Sequence, residues 1–190
     1  IAEAEPDLIE VNISCPNVGS EFGTPFSASA ESAAAVTRAV RRAVSLPISV
    51  KLAPNVPNIS EIAHAAAEEG ADAITAVNTM SAMLIDPYAA KSVLSNRTGG
   101  LSGPALKPIA LRCVAEIAAQ VSLPIIGTGG VSSGLDTVEM IMAGATLVGI
   151  GSAVWRDGPG VFEQIVRELQ AFMDGEGYDR LEEMRGKAIR

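Results

Sequence analysis

The chain has 190 residues, of which 48% are hydrophobic and 19% charged, and its formal net charge is −8. This composition is typical of one globular α/β domain with a sizeable core. The negative charge argues against a nucleic-acid-binding or anionic-membrane surface, and no apolar run approaches the roughly 20 residues of a membrane helix. Two cysteines do not indicate a disulfide framework. We therefore expect a protein of the reducing cytoplasm, without a signal peptide.

Five short runs predict parallel β-strands, because most of them are continuously apolar, as in strands covered on both faces. They are Leu8–Ile13, Ile48–Leu52, Ala73–Val77, Ile125–Thr128 and Thr146–Ile150. Helical patterns alternate with these runs. They cover Ala30–Val44, Ile59–Glu69, Ile109–Gln120, Gly134–Ala143 and Gly160–Asp174. Strand and helix in regular alternation predict a parallel α/β fold.

An internal repeat favours a barrel over an open sheet. Val44–Ile48 recurs as Val121–Ile125, each time between a helical pattern and a strand, and Glu69–Ala73 has a counterpart at Ala143–Leu147. Helices that end in Gly-Ala before a short strand are repeated in (β/α)8 barrels. We therefore expect a (β/α)8 TIM barrel, of which residues 1–190 carry roughly strands four to eight, the C-terminal five-eighths of one domain.

The first predicted strand ends in Val11–Asn17, a stretch with two amides, a hydroxyl and a thiol. Asn12 and Asn17 can each donate and accept hydrogen bonds, so together they suit a planar polar ring. Cys15 has an ordinary pKa of roughly 8.5 and can exchange a proton near neutral pH. The structural alternative is a strand end whose Asn and Pro residues only form the turn.

Glycine-rich motifs follow the last two predicted strands, at Gly127–Val131 and Gly149–Ala153. In such barrels the loops after the last strands often bind a phosphate through backbone amides. Glycine suits this task because a Cβ would prevent close approach of the backbone. The two motifs favour a phosphate site over glycines that only shape tight turns, but they do not name the ligand.

Polar residues also end the second and third predicted strands. Lys51 ends an otherwise apolar strand, where a lysine needs an anionic partner. Asn78 and Thr79 begin a loop of about 25 residues that reaches Gly103, and loops of that length usually form lids or binding loops. Because barrel enzymes place their chemistry at strand ends, we expect these residues to share one site.

Other conspicuous residues are assigned structural positions. We expect His64 to be a surface histidine, Cys113 an apolar filler of a helix, Trp155 to pack against the final helix, and Asp174–Glu183 to form a solvated surface. No spacing typical of metal or iron–sulfur ligands is present, so we expect no metal site.

Six motifs, taken in order and with their spacing, resemble the dihydroorotate dehydrogenase family. They are Asn12–Asn17, Val50–Leu52, Val77–Thr79, Thr98–Pro104, Gly127–Gly130 and Gly149–Ser152. The resemblance extends from about Leu8 to the final helix. It implies an FMN-dependent (β/α)8 barrel, a flavoprotein oxidoreductase that converts dihydroorotate to orotate in pyrimidine biosynthesis.

The resemblance also implies roles for individual residues. Cys15 matches the base that takes the C5 proton of dihydroorotate while a hydride leaves C6 for FMN, and a cysteine at this position resembles class 1 of the family. Lys51 matches a lysine whose charge favours the reduced flavin. The implied substrate-binding residues are Asn12, Asn17, Asn78 and Thr79. The implied cofactor-binding residues are Asn12, Lys51, Val77, Gly103, Gly129, Gly130, Gly151 and Ser152.

Within class 1, Leu94–Ala105 resembles subclass 1B. Members of that subclass pair with a subunit that carries FAD and an iron–sulfur cluster and passes electrons to NAD. The resemblance further implies a cytoplasmic homodimer. The first three strands of the family barrel, which supply other FMN and substrate contacts, have no counterpart among the six motifs, so the implied function belongs to the whole protein.

Three alternatives are compatible with some of these features. An enzyme of the dihydropyrimidine dehydrogenase type uses the same barrel and a loop cysteine to reduce uracil or thymine, but it more often has His where this chain has Asn17. A flavin-free barrel lyase or isomerase would explain the glycine motifs and leave Cys15 without a purpose. A non-catalytic half-barrel would fold only with a partner and would bind no flavin.

Overall fold

The computed structural model describes residues 1–14 and 26–190. Five parallel strands form the main sheet, and four short strands, β4–β7, lie between its third and fourth members in the chain. Across the sheet, the five follow one another in the order β1 (Ile9–Asn12), β2 (Ile48–Leu52), β3 (Ala73–Ala76), β8 (Ile125–Thr128) and β9 (Leu147–Gly149). All five lie where the apolar runs predict them, and no end differs by more than one residue.

Seven α-helices connect or follow these strands in the described residues. They are α1 (Ala30–Ala43), α2 (Ile59–Glu68), α3 (Lys107–Ala118), α4 (Gly134–Met142), α5 (Ser152–Asp157), α6 (Val161–Glu176) and α7 (Leu181–Met184). Side-chain caps at Ser29, Asn58 and Ser133 explain where α1, α2 and α4 begin. The sequence does not predict α5 and α7, because helices of six and four residues are too short to show a helical period. The predicted parallel α/β class is confirmed.

The main core lies between one face of the sheet and the helices. Val50 of β2 and Ile74 of β3 are fully buried there with Ile117 of α3. Because successive side chains of a strand point to opposite faces, Lys51 and Thr75 lie on the other face of the sheet. That second face is therefore the one that can carry polar groups without disturbing the core.

The long segment after β3, predicted as a loop, contains two short antiparallel ribbons. In the first, β4 (Met80–Ala82) pairs with β7 (Gly99–Leu101), and in the second, β5 (Ile85–Asp86) pairs with β6 (Lys91–Ser92). Strands of two or three residues are too short for an alternating pattern to reveal them. The segment is thus partly ordered by backbone pairing.

The structure tests all four of the structural assignments. His64 is exposed and Cys113 fully buried, as predicted. The prediction for Trp155 is wrong, because its side chain is 95% exposed on the unpredicted helix α5. Residues 174–183 expose their acidic side chains as expected. The chain then turns back at Met184, which is fully buried against α4 and α6.

Met184 therefore anchors the C-terminal segment, and its truncation tests this packing. Met184→Ala should lower the free energy of unfolding by about 3 kcal/mol, because it leaves a cavity beside Val138 and Met173. Urea unfolding followed by circular dichroism measures the change. Arg180→Ala, with an exposed side chain, is the matched control and should change stability by less than about 0.5 kcal/mol. Equal effects of the two substitutions would contradict this packing.

Candidate functional site

The carboxyl ends of the five strands meet along one rim of the sheet because neighbouring strands are parallel and in close register. Lys51 of β2 pairs with Thr75 of β3, and Thr128 of β8 pairs with Gly149 of β9. Every loop that leaves the sheet at this rim therefore starts within a short distance of its neighbours.

A pocket of about 140 Å³ at this rim brings together nine of the residues that the sequence predicts for the site. These nine are Lys51, Val77, Asn78, Thr79, Gly103, Gly129, Gly130, Gly151 and Ser152. Ser102, Leu106 and Thr128 complete the lining. The residues come from the ends of four strands and from the segment before α3, so tertiary structure alone places them together.

Asn12 lies beside this pocket and is connected to it through Ser14. The Ser14 hydroxyl donates a hydrogen bond to Asn12 Oδ1 over 2.8 Å and accepts one from Asn78 Nδ2 over 2.8 Å. Asn78 Oδ1 in turn accepts the backbone amide of Thr79 over 2.7 Å. Ser14 is 2% exposed, so a buried hydroxyl orients both amide side chains. Sequence reasoning gave Ser14 no role, although its position two residues after Asn12 was a usable signal.

Cys15 and Asn17, the predicted base and the fourth predicted substrate-binding residue, lie outside the described residues. The structure places Asn12 and Ser14 immediately before them, next to Asn78. The role of both residues therefore stays a prediction.

A lysine in an apolar strand needs an anionic partner, and the partner of Lys51 is Glu10. Lys51 Nζ lies 3.1 Å from Glu10 Oε1, and the hydroxyl of Thr75 donates to Glu10 Oε2 over 2.9 Å. Sequence reasoning missed Glu10. Its signal was a carboxylate in an apolar strand, two residues before Asn12 and hence on the same face of β1.

The loop after β8 is packed so closely that only glycine fits. Gly130 has a φ of +74°, a left-handed conformation that favours glycine. A Cβ on Gly130 would lie 2.7 Å from the backbone nitrogen of Lys107 and 2.8 Å from the carbonyl oxygen of Gly103. The loop therefore rests directly on the backbone of the segment that precedes α3.

The glycine after β9 differs, because the space beside it is open. No atom lies within 4 Å of the position that a Cβ on Gly151 would take. Among described residues, none accepts a hydrogen bond from the backbone amides of Gly129, Gly130, Gly151 or Ser152. Free amides around an open space suit an anion such as a phosphate.

An ion pair holds the end of the glycine loop against α3. Lys107 Nζ lies 2.6 Å from Asp136 Oδ1, and Asp136 Oδ2 accepts the backbone amide of Ser132 over 2.8 Å. Burial would raise the pKa of Asp136, but the hydrogen bonds from Lys107 and Ser132 outweigh it and lower that pKa below 3.8. The same contact, together with Glu139, raises the pKa of Lys107.

A larger cavity, of about 420 Å³, lies at the opposite ends of the strands. It is bounded by the turn Val121–Ile125 and by C-terminal residues including Arg185 and Arg190. None of the predicted site residues lines it. Volume alone therefore does not select the candidate site, because the predicted residues converge on the smaller pocket at the strand ends.

Two further observations concern the described residues. No helix in the described ranges is long and apolar enough to cross a membrane. Within residues 1–14 and 26–190, no group of three or more His, Cys, Asp or Glu side chains is arranged to hold a metal ion.

Fold and site together define a parallel α/β-barrel protein with a glycine-lined pocket at the strand ends. Residues 2–173 match the family described as "Dihydroorotate dehydrogenase". The chain is also 46% identical over 187 residues to the "Dihydroorotate dehydrogenase B (NAD(+)), catalytic subunit" of Methanothermobacter thermautotrophicus, covering 98% of this chain and 62% of the relative. This protein therefore belongs to the dihydroorotate dehydrogenase family, whose members are flavin-dependent.

Two more comparisons agree with this assignment. The protein of the same name from Bacillus thuringiensis (strain Al Hakam) is 46% identical over 180 residues, which cover 95% of this chain and 58% of that protein. The crystal structure of DHODH from Eimeria tenella in complex with ferulenol superposes with a TM-score of 0.79 at 25% identity, covering 97% of this chain and 54% of that one. The predicted barrel fold is confirmed. The chain spans less than two thirds of the length of these relatives.

The ion pair at the glycine loop gives a pH-dependent prediction. The pKa of Asp136 is lower in the folded state than its ordinary 3.8, so this carboxylate stabilises the fold above that pH and loses its contribution as the pH falls through the folded value. Asp136→Asn should cost about 2 kcal/mol at neutral pH, and the cost should shrink below about pH 4.

Urea unfolding of both proteins across this pH range measures the difference. Glu139→Gln is the matched control, because it removes the more exposed partner of Lys107 and should cost less than about 0.5 kcal/mol. A cost of Asp136→Asn that stays constant with pH would contradict the assignment.

Proposed function

We propose that the full-length protein oxidises dihydroorotate to orotate, with FMN as its cofactor, in pyrimidine biosynthesis. The observation that carries the proposal is the pocket at the strand ends, where the ammonium group of Lys51, the side-chain amide of Asn78 and a glycine-rich backbone meet. Family membership and the printed names of the relatives support the same reaction.

Residues 1–190 contribute the last five β/α units of one FMN-binding barrel in this proposal. In the described part of the sheet, β1 and β9 are the two edge strands. Leu147 on β9 is 62% exposed and Leu8 beside β1 is 42% exposed. Further strands would cover these apolar side chains and close both edges, as barrels do. The greater length of the relatives supports this division.

Different residues of the site fit the phosphate and the ring system of FMN. The backbone amides of Gly129, Gly130, Gly151 and Ser152 would hold the phosphate, since all four residues line the pocket and no described residue accepts a hydrogen bond from these amides. Lys51, Asn12, Val77 and Gly103 would lie along the ring system. The pocket is smaller than the roughly 300 Å³ of typical ligand sites, so the flavin would extend beyond it over the polar face of the sheet.

The amide residues of this chain would hold the substrate ring. Asn12, Asn78 and Asn17 offer both donors and acceptors, which suit the alternating carbonyl and N–H groups of a pyrimidine, and Thr79 adds a hydroxyl. Because Ser14 already orients Asn12 and Asn78, these amides would meet the ring with little loss of side-chain entropy.

Cys15 is the proposed general base. As a thiolate it takes the C5 proton of dihydroorotate, and its ordinary pKa of roughly 8.5 is close enough to neutral pH for that task. Bound FMN supplies the acceptor for the hydride that leaves C6. Lys51 supplies a positive charge that favours the reduced, anionic ring.

The names of the relatives describe catalytic subunits of an NAD(+) type enzyme. On that basis we propose a partner subunit with FAD and an iron–sulfur cluster, a homodimeric catalytic subunit, and a cytoplasmic location. The net charge of −8 agrees with a protein that binds neither nucleic acid nor an anionic membrane.

The proposed function is tested by the visible spectrum of the purified full-length protein before and after anaerobic addition of dihydroorotate. Flavin bands that bleach on addition are expected. Bands that bleach only with a nicotinamide donor and are restored by uracil would instead support the dihydropyrimidine dehydrogenase alternative. A colourless protein, also after incubation with FMN, would overturn the flavin assignment.

Gly151→Ala tests the phosphate site. The new methyl group enters the open space beside the loop, so it should weaken FMN binding at least tenfold, about 1.4 kcal/mol, with little change in the melting temperature. Fluorescence titration of the flavin-free protein measures the affinity. Gly160→Ala is the matched control: it also meets no atom within 4 Å, and it lies outside the pocket. Equal affinities in the two variants would count against a phosphate at Gly151.

Cys15→Ala tests the proposed base. The variant should bind FMN normally, but flavin reduction by dihydroorotate should be slower by about 10²–10⁴-fold, because the proton of C5 has no acceptor. Anaerobic stopped-flow absorbance measures the rate. Cys113→Ala, a change of the buried cysteine of α3, is the control and should reduce at the wild-type rate. An unchanged rate in Cys15→Ala would remove Cys15 as the base.

A further inference from the structure

A chain of polar side chains crosses the face of the sheet that lies away from the helices. Ser49 and Thr75 are joined by a hydroxyl–hydroxyl hydrogen bond of 2.8 Å, and they are 0% and 2% exposed. Thr75 donates to one carboxylate oxygen of Glu10, and the other oxygen pairs with Lys51. Three strands are therefore connected by side chains on this face.

Strand register produces this arrangement. Lys51 pairs with Thr75 across β2 and β3, and Asn12 pairs with Lys51 across β1 and β2. Glu10, two residues before Asn12, projects from the same face of β1. Its carboxylate therefore lies between the hydroxyl of Thr75 and the ammonium group of Lys51.

The two carboxylate oxygens of Glu10 accept hydrogen bonds from different partners. Oε2 is held at 2.9 Å by Thr75, a side chain that has almost no freedom because it is buried. Oε1 is left to accept from Lys51 Nζ at 3.1 Å. Because Thr75 fixes the carboxylate of Glu10, Oε1 is an acceptor at a fixed position. It restrains the side chain of Lys51, which would otherwise sample many rotamers.

We propose that Glu10 is a positioning residue that holds the ammonium group of Lys51 at the rim of the pocket and balances part of its charge. The placement of Lys51 is a property of the chain itself. The consequence for a bound flavin ring rests on the proposed function. Glu10 itself does not line the pocket, so it acts through Lys51.

Removal of the negative charge of Glu10 should shift the midpoint potential of bound FMN in a predictable direction. Glu10→Gln keeps the shape of the side chain and two polar atoms, but it leaves the charge of Lys51 uncompensated. A bound anionic ring beside Lys51 would then be stabilised relative to the neutral oxidised ring. The midpoint potential of bound FMN should therefore become more positive, by about 30 mV for a tenfold change in a two-electron couple.

Chemical labelling of lysines tests the placement without any flavin. The flavin-free full-length protein is treated briefly with acetic anhydride, digested, and analysed by mass spectrometry. Lys91 of β6, an exposed lysine, serves as the internal reference. An ammonium group paired with a carboxylate must leave it before it reacts. Because a partly exposed ion pair contributes up to about a fivefold equilibrium factor, Glu10→Gln should raise the labelling of Lys51 by up to about fivefold relative to Lys91.

Glu139→Gln is the matched control, because it removes a carboxylate from Lys107 instead, and Lys51 should then react as in the wild type. Unchanged labelling of Lys51 in Glu10→Gln, with the fold intact by circular dichroism, would overturn the proposal. Equal flavin potentials in wild type and Glu10→Gln would also overturn it. A protein that binds no flavin would contradict the proposed function, while the labelling result would still decide the role of Glu10.

Discussion

Backbone pairing between the five parallel strands determines where most polar groups of the site lie. Each strand is hydrogen-bonded to its neighbour in a register that brings the carboxyl ends to one rim. Lys51, Asn78, Thr128 and Gly151 are far apart in the sequence, and they meet because the strands that carry or precede them end together. A slip of one residue in β2 would turn Lys51 into the core and Val50 to the polar face.

One face of this sheet is apolar, and the other carries polar and charged side chains. One face buries Val50 and Ile74 against helices, which stabilises the fold by apolar burial. The other face holds Glu10 and Lys51 as a half-exposed ion pair, supported by the buried hydroxyl of Thr75. A charged pair is tolerated there because each member has its partner. The fold thus provides a rigid frame and, on its reverse side, a polar surface fit for a ligand.

Sequence reasoning succeeds where a single segment carries the signal. Short, mainly apolar runs locate all five strands, and Gly130 of the predicted glycine motif has a conformation and a close packing that both demand glycine. It fails where the answer depends on long-range pairing or on very short elements. The sequence predicts that Lys51 needs an anion, but Glu10 lies 41 residues away and only strand register identifies it. Trp155 was misplaced because helix α5 has only six residues and turns its tryptophan outward.

The central claim is that one pocket at the strand ends holds the flavin of this family. A crystal structure of the full-length protein with FMN and orotate tests it most directly. The account predicts the phosphate on the backbone amides of Gly129, Gly130, Gly151 and Ser152, with Lys51 beside the ring and Asn78 on the orotate. A flavin phosphate bound elsewhere, for example in the larger cavity beside Arg185, would contradict it.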